Sequence, residues 1–146
     1  MPSTKLKSIA YWVSTTIIAA AFLLGGAVDA AARPPAVAFL AHLGYPAYFC
    51  TLIGVWKVLG GVALLAPRFP RLKEWAYAGI FFDVTGAAIS HAASGDNASH
   101  VIVPLALACV AVVSWALRPQ SRKLGTLVPA ATSVVRFTAN TGAAGA

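Results

Sequence analysis

Four long runs of apolar residues, separated by short clusters of charge, proline and glycine, organise the chain. They cover about residues 9–28, 48–65, 75–93 and 101–117. Each approaches the ~20 residues that a helix needs to cross ~30 Å of hydrocarbon. The runs are continuous rather than alternating, and so few strands cannot close a membrane barrel. The pattern therefore predicts an all-α fold, a polytopic membrane four-helix bundle. The first run follows Lys5 and Lys7, and Val28-Asp29-Ala30 loosely resembles a signal-cleavage site. Its apolar part exceeds the ~7–15 residues usual in a signal peptide, so it is read as a retained helix.

Between the first two runs, Pro34, Pro35, Gly44 and Pro46 mark a loop. Residues 36–43 within it are expected to form a short interfacial helix. Beyond Gly125 the chain is rich in Ala, Thr and Gly with little periodicity. Residues 1–125 are thus expected to form the transmembrane domain and 126–146 a disordered cytoplasmic tail. The loops are too short for a separate soluble domain, so any site must be built from the helices and their ends.

Composition agrees with this class. The chain is 59% hydrophobic and 10% charged, where soluble domains are about a quarter charged. Mean hydropathy is +0.77. The net charge of +7 is a topology signal. Lys5 and Lys7, then Arg68, Arg71 and Lys73, then Arg118, Arg122 and Lys123 fall on one side of four spans. The first loop of the other side holds only Arg33. The asymmetry predicts a multi-pass inner (plasma) membrane protein with both termini cytoplasmic. No basic and aromatic surface points to nucleic acid. The two cysteines, Cys50 and Cys109, form no CxxC or Cys/His cluster. They are expected at different depths, so neither a thiol-based metal site nor a disulfide between them is predicted.

Lys57 interrupts the second run and Asp83 the third. Each lies eight residues, or ~12 Å of rise, from the expected cytoplasmic end of its helix. A charge at the bilayer centre costs about 2.5–3.5 kcal/mol on insertion scales. Matched depth on consecutive antiparallel helices predicts that the two form a pair. Gly54 and Gly61 share the Lys57 face, and Gly79, Gly86 and Ser90 the Asp83 face. Such stripes allow close helix approach. Two readings stay open: a pair that fixes helix register, or a polar cavity that binds a ligand or relays protons.

Other polar residues have plainer readings. Phe22, Gly25, Gly26 and Asp29 share a face, with Asp29 expected as an interfacial acid. Glu74 is expected at the start of the third helix, favoured by its dipole, and in reach of Arg68 or Arg71. His42, His91 and His100 all map near the outer face, but no spacing resembles a ligand motif, so no metal is expected. His91 lies beyond the Asp83–Ser90 stripe and is a candidate proton donor or acceptor for a bound quinone.

The segment VWKVLGGVALLAPRFPRLKEWAYAGIFFDVTGAAISH, residues 55–91, resembles the DoxX-like family of small bacterial membrane proteins. The shared pattern is a lysine and glycine pair, a Pro-Arg turn, KEWAYAG, then Gly86-Ala87 and Ser90-His91; the preceding YPAYF also fits. By resemblance, Lys57, Glu74, Tyr77, Gly79 and His91 occupy pattern positions. The resemblance implies a four-helix bundle with cytoplasmic ends and a redox-associated role, as a quinone-facing subunit with a membrane redox partner or as a homo-oligomer. The founding members form a thiosulfate:quinone oxidoreductase. The residues themselves make no cofactor evident. A non-enzymatic scaffold or assembly factor for a membrane partner is the alternative, and a permeation path ranks below both.

Overall fold

A computed structural model describes residues 2–124. The tail expected over 126–146 lies outside the described residues. Five helices follow one another: α1 (Pro2–Ala30), α2 (Pro34–His42), α3 (Ala47–Leu65), α4 (Pro70–Ala93) and α5 (Ala98–Ala116), then a 3-10 turn at Gln120–Arg122. Helix α1 meets no proline after Pro2 and runs for 29 residues. It stops where Ala32 takes a left-handed φ of 46° and Arg33 the extended backbone imposed by Pro34. Helices α2 and α4 open on prolines, whose fixed φ suits a first turn. Helix α4 therefore begins at Pro70, five residues before the expected start.

Helices α2 and α4 end in the same way. Gly44 and Gly95 adopt φ of 87° and 72°. Gly44 and Tyr45 donate their N–H groups to Ala41 and Leu40, while Gly95 and Asp96 donate to Ala92 and His91. These are Schellman closures, which glycine permits because it lacks the Cβ that penalises positive φ. They place Tyr45 and Asp96 back over the last turns of their helices.

Helix α1 packs on α3 and α5, α4 packs on α5 and α3, and α2 covers the far end of α3. The core comprises Ile18, Phe22, Leu64, Tyr77, Ile80, Val84, Ala108 and Ala111. Beside it the Ser114 hydroxyl meets Thr15 Oγ1 and the Tyr77 hydroxyl, each at 2.7 Å. Polar groups thus turn inward and satisfy one another, while Leu24, Phe82 and Ile89 are exposed. Helices α1, α3 and α5 are long and apolar enough to cross a membrane. Helix α4 falls short of that mark, because Asp83, Ser90 and His91 interrupt its apolar run.

The glycines do not serve alike. A Cβ on Gly54 would lie 2.7 Å from Ala30 Cα, and one on Gly26 2.9 Å from the Gly54 carbonyl oxygen. A Cβ on Gly61 would meet Leu23 Cγ at 2.9 Å. These residues bring α1 and α3 into backbone contact. Gly79 and Gly86, expected to do the same for α4, would meet nothing within 4 Å, and neither would Gly25. Helices α3 and α4 stand apart there.

Candidate functional site

Lys57 lies midway along α3, and Asp29 lies in the last turn of α1. Their side chains form an ion pair, Nζ to Oδ2, of 2.9 Å. The contact exists because Gly26 and Gly54 remove the side chains that would separate the helices. Helix α1 ends level with Gly54, well short of the far end of α3, so Asp29 is carried down to the lysine. The Cys50 thiol donates to the Asp29 carbonyl oxygen at 3.3 Å. This corrects one expectation: Lys57 pairs with Asp29 rather than Asp83.

Asp83 makes no ion pair among the described residues. It nevertheless shares two cavities with Lys57. One, of about 450 Å³, lies between α3 and α4 and is walled by Phe22, Ile53, Trp56, Trp75 and Ile80, with Gly60 and Gly79 leaving it open. The other, of about 490 Å³, runs from Lys57 and Asp83 past Val84 and Ala87 to His91 and His100. Pro104 of α5 also lines it. The first cavity is apolar except for Lys57 and Asp83, and the second adds His91, Ser99 and His100 to the same two groups. Such a space can hold an apolar molecule that carries a few hydrogen-bonding atoms.

At the basic end, Glu74 Oε1 pairs with Arg118 Nη2 at 2.8 Å and Glu74 Oε2 accepts the Trp115 indole N–H at 2.9 Å. Arg118, not Arg68 or Arg71, is therefore its partner, and Glu74 sits in the second turn of α4. Burial pushes the Glu74 carboxyl upward, but the Trp115 and Arg118 hydrogen bonds and the guanidinium charge bring it below the ordinary carboxylate value. The buried guanidinium lies 5.1 Å from the Tyr77 ring centre and 5.3 Å from that of Trp115. Lys73 is buried as well. It donates to the carbonyl oxygens of Ala63 and Leu64, which end α3 without intrahelical partners. Burial, then the charges of Arg122 and Arg118, lower its pKa to about 8. Sequence reasoning counted Lys73 and Arg118 only as topology signals; Lys-Glu at the head of a helix was the available hint.

The opposite end gathers the histidines. Asp96 Oδ2 lies 2.6 Å from His91 Nδ1, and Asp96 Oδ1 lies 2.7 Å from His42 Nε2. These imidazole contacts hold the Asp96 carboxyl below its ordinary value. The His91 ring stacks on His100 at 5.4 Å and leans on Phe39 at 5.3 Å. Tyr45 reaches the same end of α4 through its hydroxyl, 2.7 Å from Ser90 Oγ. Sequence spacing hid this cluster, since four elements contribute to it. The His-x-x-x-Gly-Asp string was the legible signal, because Gly95 as helix terminator folds Asp96 back onto His91.

The family pattern described as DoxX-like matches residues 13–114. The chain belongs to the DoxX-like family. Comparison with curated proteins and with solved structures finds no match. The matched segment of this DoxX-like membrane protein contains the Lys57–Asp29 pair, both cavities and the histidine end. Of the pattern positions, Lys57 and Gly79 border the first cavity, His91 the second, and Glu74 and Tyr77 belong to the network beneath them.

Proposed function

We propose that this DoxX-like protein is a redox-associated subunit of the plasma membrane whose two joined cavities accept a quinone from the lipid phase. The supporting observation is that Lys57 and Asp83 line both cavities while the remaining walls are mostly apolar. Volumes of 450 and 490 Å³ suit a ring with a short part of its chain. A quinone supplies two-electron, two-proton chemistry. The protein's own part is to bind it: the Lys57 ammonium donates to a carbonyl oxygen, Asp29 keeps that ammonium oriented, and Asp83 holds or releases a proton beside it. The reading includes four spans with both termini cytoplasmic. Lys73, Glu74, Arg118 and Arg122 gather at one end, with Tyr11 and Leu64, which suits the side that positive charge favours.

The test uses purified full-length protein in mild detergent. A short-chain quinone should quench the fluorescence of Trp56 and Trp75, which line the first cavity, in a saturable way. Lys57→Met should weaken that binding about tenfold, the worth of one charge-assisted hydrogen bond. Quenching that never saturates, or is unchanged in Lys57→Met and Asp83→Asn, overturns the reading. A second reading, a scaffold for a partner membrane protein, is favoured by the open faces of Gly79 and Gly86. It predicts co-purification with a fixed partner that Gly86→Leu disrupts.

A further inference from the structure

We propose that His91, Asp96 and His100 form a binding site for a divalent transition ion of the zinc type at the histidine end. Each of the three offers a ligand atom, and these atoms lie within 4.8 Å of one another. A tetrahedral ion bound at about 2.0–2.1 Å separates its ligands by roughly 3.3 Å, so the widest pair closes by about 1.5 Å at most while the His91 Nδ1–Asp96 Oδ2 contact of 2.6 Å opens to admit the ion. The mobile partner is available: His100 stands exposed in the first turn of α5, and its side chain can swing. The other two are already fixed. His91 is buried, and its Nδ1 meets Asp96 Oδ2. Asp96 is held from behind by His42, whose Nε2 occupies Oδ1 and leaves Oδ2 facing His91. A carboxylate oriented in this way by an outer imidazole is the usual support of a metal ligand.

The donor set decides the ion. Two imidazoles and one carboxylate suit zinc, iron(II), nickel or copper(II), whereas magnesium and calcium need oxygen ligands. Three protein ligands leave one coordination position for water or an incoming group. His91 and His100 also line the 490 Å³ cavity, so that position borders the space that leads to Asp83. The site stands on these residues alone and is independent of any quinone.

The experiment uses full-length protein purified with a tag that contains no histidine, then stripped with chelator. Zinc is titrated against a coloured chelator, and cobalt is added as a visible-range reporter of coordination. One zinc per chain is expected, with cobalt bands that zinc removes. His100→Ala, at an exposed position, should weaken zinc at least about 100-fold while leaving the circular dichroism unchanged. His42→Ala should weaken it about 10–100-fold, as losses of outer-sphere support do, while stoichiometry stays at one. Absence of one-to-one zinc binding overturns the proposal. So does binding that His100→Ala changes by less than threefold, because the ion then lies elsewhere.

Discussion

The Lys57 ammonium and the Asp29 carboxylate, 2.9 Å apart, join the middle of α3 to the end of α1. The pair sits beside the contact of Gly26 with Gly54, so charge and close packing depend on the same helix crossing. Asp83 lines both cavities together with Lys57 and makes no ion pair among the described residues.

Removing one member of such a pair leaves the other charged group without a partner, which costs about 3–5 kcal/mol when the pair is buried and less where it is partly open. Lys57→Met alone should therefore lower the midpoint of thermal unfolding in detergent more than the double variant with Asp29→Leu. The coupling energy of the cycle should be about 1–3 kcal/mol. The same cycle with Asp83→Leu should give a smaller coupling, because Asp83 shares the cavities with Lys57 but makes no ion pair with it. Equal couplings would contradict the assignment of the partner.

Gly54→Ala places a methyl group against the backbone of Asp29 and Ala30. The helices must separate, at about 1–3 kcal/mol, the usual cost of overpacking. Gly86→Ala meets open space. It should be neutral or stabilising by up to about 1 kcal/mol, since alanine favours the helix. Denaturant unfolding of the two variants tests the contrast, and loss of stability in both would show that α4 packs through this face.

Lys73 has a pKa lowered to about 8 in the folded protein, against an ordinary value of 10.5. Between these values the unfolded chain holds a proton that the folded chain has lost. Unfolding then takes up a proton, and stability rises with pH from about 8 to 10.5. Below pH 8 both states are charged and the slope from this group vanishes. Thermal midpoints measured across this window should climb in the wild type. They should not climb in Lys73→Met, which is also less stable throughout because the final carbonyls of α3 lose their donor.

The helices were legible because their signals are local. Apolar runs of sufficient length mark α1, α3, α4 and α5 without any tertiary knowledge, although α4 starts at Pro70, ahead of its apolar run. The DoxX-like kinship was legible for the same reason, since lysine, glycine pair and KEWAYAG lie in one contiguous segment. Lys57 and Asp83 were also recognisable as residues that a hydrocarbon environment must accommodate.

Their partners were not legible. Matched depth made Asp83 a reasonable partner for Lys57, but pairing depends on helix rotation and on where neighbouring helices end. Helix α1 stops level with Gly54, and this end together with the Gly26–Gly54 approach brings Asp29 to the lysine. Glu74 likewise reaches Arg118, forty-four residues away in sequence, because α4 and α5 run side by side. The histidine cluster needed two helix terminations and the start of α5 to meet at one end. Linear order carries the energetics of a single helix in water or lipid, and it carries them well. Contacts between helices are settled by rigid-body rotation and depth, which close packing around a few glycines selects and no local pattern encodes.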